Sequence, residues 1–184
     1  MVQLLRYSEF SLPYLKDSGY ENALALTTIN QFAILLFMPL LPTCIRRFGL
    51  KNVLILGMSA WALRYFLFMV PVFAVPALFL HGLAQVFLYT AAYAYANQKA
   101  PEELKASAQC FMVFILLGVG ALLSGQFYGL MSDTFVVQVG EETVRNWQMI
   151  FCVPAVIFTI ITILFFVLTK DPEEEVANTR EGIK

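Results

Sequence analysis

Residues 147–169 read WQMIFCVPAVIFTIITILFFVLT, twenty-three positions without one charged side chain. At about 1.5 Å of rise per residue such a run makes a helix of about 35 Å, enough to cross a hydrocarbon core about 30 Å thick. In lipid every backbone N–H and C=O needs a partner inside the segment, so the run is a helix rather than a strand. Four more stretches of the same kind precede it, Ala23–Ile45, Val53–Val70, Pro76–Ala96 and Ala108–Met131. The fold class is therefore all-α: a polytopic transmembrane helix bundle with five predicted spans. Composition agrees, with 59% hydrophobic and 14% charged residues and a mean hydropathy of +0.71. A soluble domain carries about 25% charged residues and covers itself with them.

The chain divides into an external segment at 1–21, a five-helix bundle over 22–170 and an acidic cytoplasmic tail at 171–184. Arg6, Glu9, Lys16 and Asp17 interrupt the first segment. It has neither the unbroken apolar middle nor the cleavage site of a signal peptide, and it looks like the tail of a preceding helix followed by a loop. Cys44, Cys110 and Cys152 sit in or beside separate spans, so neither a disulfide framework nor a metal site is expected. No basic face gathers for nucleic acid, and the formal net charge is −1.

Positive charge is placed unevenly. Arg46, Arg47, Lys51, Lys99, Lys105, Lys170, Arg180 and Lys184 fall on one side of the predicted bundle and Arg6, Lys16 and Arg145 on the other, eight against three. The positive-inside rule puts the larger group in the cytoplasm, with the N-terminus outside and the C-terminus cytoplasmic. Arg46 and Arg47, in RRFGLKN, then hold a tight hairpin at the inner face, in a structural or gating role. Residues 132–146 make a polar external loop and 97–107 a charged internal one.

Inside the spans polarity is sparse and placed. No Asp or Glu lies within any span; Asp133 sits just past the fourth. Arg64 is the one formal charge at depth, and two roles are open for it: anchoring with a snorkelling stem, or gating and solute steering. In HGLAQVFLYTAAYAYAN (81–97), His81, Gln85, Tyr89 and Tyr93 recur four apart on one helical face, continued by Asn97. Thr27, Thr28, Asn30 and Gln31 add a second polar group on the first span. Both groups admit interhelical hydrogen bonding or the lining of a wet cavity for a polar, ring-containing solute. The fourth span repeats Ala121, Gly125 and Gly129 four apart, a small-residue face for close helix packing. No triad, carboxylate dyad or phosphate loop is present, so no enzyme and no cofactor is expected.

Taken together, RRFGLKNVLILGMSAWALRYFLF, HGLAQVF and KAPEELKASAQ resemble the carboxy-terminal half, helices eight to twelve, of the nucleoside:proton symporters of the major facilitator superfamily. Trp61 and Arg64 match an AW-x-x-R pattern, and Lys105, Ser107, Ala108 and Gln109 match R/K-x-S-A-Q. The resemblance implies a twelve-helix carrier of the inner (plasma) membrane that moves nucleosides by alternating access. Gln31 falls at a substrate-binding glutamine and His81 at an aromatic or histidine position used near sugar or base; Gln85, Tyr89 and Asn30 complete the candidate set. The family's two acids in this half correspond to Ile34 and Val86, and the glycine after SAQ to Cys110. Alternating access needs two bundles, so the expected partners are the lipid bilayer, a small polar solute and an N-terminal half or second copy. The other reading is a truncated fragment, or a transport-inactive protein that acts by partner binding.

Overall fold

The computed structural model of the chain describes residues 11–139 and 142–169. The acidic tail, Arg6, Lys170, Arg180 and Lys184 lie outside the described residues.

Residues 11–17 form a short helix, α1. It ends where Gly19 adopts φ 85° and the Tyr20 N–H reaches back to the Leu15 carbonyl at 3.0 Å, an αL closure that suits glycine. After α1 come α2 (Ala23–Phe37), a 3₁₀ turn (Met38–Leu40) and α3 (Leu41–Phe68). Pro39 and Pro42 each stand at the start of their element, where a missing N–H breaks nothing, so the helix carries on through both. What divides the long apolar stretch Ala23–Phe68 is Gly49, at φ 77° and ψ 157°. Only a residue without Cβ enters that conformation readily. Two rods result, meeting at the RRFGLKN turn.

After a 3₁₀ turn at Pro71–Phe73, α4 (Ala74–Gln85) runs through a π turn (Val86–Thr90) into α5 (Ala91–Lys99). A 3₁₀ turn at Glu102–Leu104 and an ion pair from Lys105 to Glu102 at 2.6 Å start the next rod. It consists of α6 (Lys105–Val113), a second π turn (Phe114–Val119) and α7 (Gly120–Thr134). The last rod is α8 (Trp147–Leu168), and Pro154 sits inside it without ending it. Among the described residues, four continuous helical stretches are long and apolar enough to cross a membrane, and the break at Gly49 divides the 46-residue one into two rods. Side chains such as Leu24, Leu35, Leu122 and Val167, each at least 70% exposed, are what a rod turns towards lipid rather than water.

The 132–146 loop contains a short hairpin. Val136–Val139 (β1) and Glu142–Arg145 (β2) pair antiparallel, with Val137 opposite Val144. The run VVQV has the β-branched content strands favour, a signal masked by reading the segment only for polarity. The hairpin delivers the chain to Asn146, whose Oδ1 accepts the Met149 N–H at 3.2 Å and caps α8. Asn146→Ala should destabilise the folded protein by about 1 kcal/mol, measurable as a lower unfolding midpoint in detergent.

α3 is the centre of the bundle: α4 and α8 pack on it, and α2 packs on α4. Two glycines set these crossings. A Cβ built on Gly82 would lie 2.4 Å from Ala33 Cβ, and one on Gly57 would lie 2.5 Å from the Leu88 nitrogen. Small-residue packing is therefore made by Gly82 against α2 and by Gly57 against the π turn. At Gly125 and Gly129 a built Cβ meets nothing within 4 Å among the described residues. Of that predicted face only Ala121 is buried. The α6–α7 rod stands apart, held at one end by Gln109 Nε2 donating to the Tyr93 carbonyl at 2.8 Å.

Candidate functional site

Trp61 is where the polar stripe of α4 meets the buried charge of α3. Its indole lies edge-on to the His81 ring at 5.3 Å and to Tyr89 at 6.4 Å, and stacks on Phe158 of α8 at 5.8 Å. The Arg64 guanidinium lies 4.9 Å from the same ring's centre, and also 4.8 Å from Phe68 and 5.5 Å from Tyr65. Spacing explains this: Trp61, Arg64, Tyr65 and Phe68 fall three and four apart, so one helical face carries them all. Arg64 is 2% exposed. The expected snorkelling stem is not what holds it; aromatic faces take the guanidinium directly, an electrostatic contact that strengthens away from water.

His81 is buried beneath Trp61, while Gln85 and Tyr89 are half-buried. The four-residue repeat implied one continuous face, but the π turn at Val86–Thr90 adds a residue to the turn and rotates Tyr89 relative to Gln85. Such bulges collect at functional sites. Only backbone hydrogen bonding, which no side-chain pattern reports, would have revealed it.

On α2 the two amides separate. Asn30 is buried, and its Oδ1 has no hydrogen-bond partner among the described residues; Gln31, one position on, is exposed. Successive residues of a helix point about 100° apart, so a single face cannot hold both. The hydroxyls of Thr27 and Thr28 donate to the Leu24 and Ala25 carbonyls at 2.6 Å, which commits their donors to their own helix and leaves them only as acceptors. Ile34 is half-buried and Val86 fully buried, so neither position carries charge into the bundle. Arg46 and Arg47 lie exposed at the Gly49 turn, Arg47 over the Phe48 ring at 5.5 Å. Among the described residues no group of three metal-ligating side chains comes together.

Comparison with known proteins gives one answer. The family described as Nucleoside H+ symporter matches residues 2–174. The chain is 32% identical to the putative nucleoside transporter YegT of Escherichia coli (strain K12), covering 95% of this chain and 44% of that protein. It is 28% identical to the xanthosine permease of the same organism, over 81% of this chain and 37% of the relative. A crystal structure of the nucleoside transporter NupG superposes with a TM-score of 0.75 at 22% identity, covering 92% of this chain and 43% of that one. The chain thus spans less than half the length of the relatives it matches.

Proposed function

Because the chain belongs to the nucleoside H+ symporter family, we propose that it is the carboxy-terminal bundle of a carrier that moves nucleosides by alternating access. The observation that carries this reading is the packing of His81 and Tyr89 against Trp61, within a family match that runs nearly the length of the chain. Exposed Gln31 and half-buried Gln85 and Tyr89 are positioned to meet a solute: amides pair with donors and acceptors on a base, and a phenol supplies both a stacking face and a hydroxyl. His81 and Asn30 act from behind. Asn30 Oδ1, buried without a partner, gains most from a donor, because a stranded buried acceptor is destabilising by about 1–3 kcal/mol.

An N-terminal bundle is required, since one bundle must rock against another around the site. The positive-inside rule supports a cytoplasmic RRFGLKN turn. Among the described residues Arg46, Arg47, Lys51, Lys99 and Lys105 lie at that end of the rods and Lys16 and Arg145 at the other. With Ile34 and Val86 at the positions of the family's acids, a proton carried by this half has no membrane carboxylate there to ride on.

Labelled uridine uptake into vesicles, measured with this bundle joined to an N-terminal bundle and with it alone, tests the reading. Saturable uptake is expected only in the joined form. Gln31→Ala and Gln85→Ala should each lower uptake about tenfold, the loss of one hydrogen bond of about 1.4 kcal/mol. Uptake unchanged by both substitutions would remove the stripe from the mechanism; a well-folded joined carrier with no uptake would remove transport.

A further inference from the structure

No Asp or Glu occurs from residue 22 to residue 101, yet Arg64, inside that stretch, is 2% exposed. A guanidinium taken out of water is costly unless something receives its charge. Three rings do so here, those of Trp61, Tyr65 and Phe68, at 4.9, 5.5 and 4.8 Å. All three belong to Arg64's own helix, so these contacts arrange one face of α3 and bridge to no other rod.

Trp61 carries that arrangement across to α4. It stands seven residues before the end of α3 at Phe68, and His81 stands seven after the start of α4 at Ala74. Both therefore lie about 10 Å below the outer ends of their rods, and there the indole meets His81 and Tyr89. A buried indole is usually fixed by its N–H, which finds an acceptor. The Trp61 Nε1 has none among the described residues, so contacts with rings and with the guanidinium set its plane. Phe158 stacks on it at 5.8 Å, and Arg64 holds it at 4.9 Å. The Arg64 contact is directional, because a planar guanidinium lies along a ring as a compact ammonium does not. Half-buried Tyr89 most needs such a stop, since the π turn at Val86–Thr90 has rotated it relative to Gln85.

We propose that Arg64 is a positioning residue: it fixes the plane of Trp61, and through Trp61 the angle at which Tyr89 and His81 are presented to the solute. The inference rests on the nucleoside-carrier reading above and adds to it a residue that itself touches no solute. Its buried charge serves geometry rather than steering.

Two readouts test this. In the chain carrying Trp147→Phe, Trp61 is the sole tryptophan, and its time-resolved anisotropy in detergent reports how firmly the ring is held. Arg64→Lys keeps the charge and loses the plane, so it should add a fast depolarising component, and Arg64→Met a larger one. In the carrier joined to an N-terminal bundle, Arg64→Lys should raise the KM for labelled uridine about fivefold while Vmax per folded carrier stays within about twofold, the mark of lost binding geometry. Asn146→Ala, which weakens only the cap of α8, should leave that KM unchanged and so separates positioning from stability. Trp61→Leu should raise KM as much as Arg64→Lys does. Combining the two should change nothing further, because residues that act through one contact do not add. Unchanged KM in a carrier that takes up uridine, additive losses in the double variant, unchanged anisotropy, or no folded Arg64→Lys protein would each overturn the assignment and leave Arg64 structural. No uptake by the unsubstituted joined carrier would overturn the transport reading itself, and the assignment with it.

Discussion

Gly82→Leu should leave almost no folded protein. Even the first added carbon would sit 2.4 Å from both the Ala33 carbonyl carbon and Ala33 Cβ, and 2.6 Å from the Ile34 nitrogen. Two of those three atoms are backbone, so no rotamer change relieves the contact and α2 must move off α4. Overpacking in a core is destabilising by about 1–3 kcal/mol where side chains can yield; against rigid helix backbone the effect should exceed that range. Because folded proteins hold only about 5–15 kcal/mol in all, Gly82→Leu should appear mainly as lost monodisperse material on size exclusion in detergent. The matched control is Gly129→Ala, where a Cβ meets nothing within 4 Å, and the isolated chain should tolerate it without a measurable change.

Trp61→Ala should be the most damaging truncation of a side chain. The indole is 8% exposed and joins α3, α4 and α8 through His81, Tyr89 and Phe158 while covering Arg64. Truncating a buried Trp to Ala removes about 3–5 kcal/mol. Here it also strips one of the three rings over a guanidinium, and an uncovered buried charge is worse than an uncovered apolar patch. Trp61→Phe keeps a ring in place and should recover most of the loss. Unfolding midpoints of the three proteins in a denaturing-detergent titration give the order native, Trp61→Phe, Trp61→Ala. Equal midpoints for the two variants would show that the ring contacts hold nothing.

Length and charge were enough to read the bundle from sequence: runs of bilayer length between charged windows admit little else. The turn at RRFGLKN was equally legible, because Gly49 stands in a gap of positive charge between two apolar runs. The site was half legible. A four-residue repeat finds His81, Gln85 and Tyr89 and places them on one face, but the π turn that rotates Tyr89 lies in the backbone ladder. The glycines that set the α2–α4 and α3 crossings were hidden for a related reason. GQFYG announces itself as a motif, whereas Gly57 and Gly82 stand alone, and their partners, Ala33 and the Phe87–Leu88 peptide, are known only once the rods have crossed. Arg64 illustrates the same limit from the other side: its neighbours at 61, 65 and 68 were visible as aromatics, yet a stem long enough to snorkel suggested water before it suggested rings.

Side-specific thiol labelling tests the five-crossing bundle most directly. In the chain carrying Cys44→Ser, Cys110→Ser and Cys152→Ser, Phe48→Cys at the Gly49 turn, Glu103→Cys between α5 and α6 and Gln138→Cys in the hairpin are each exposed and each report one end of the rods. An impermeant maleimide added outside intact cells should modify Gln138→Cys and leave the other two unmodified until the membrane is opened. Modification of Phe48→Cys from the same side as Gln138→Cys would mean that Ala23–Phe68 does not turn back at Gly49, and the five-rod account would fail with it.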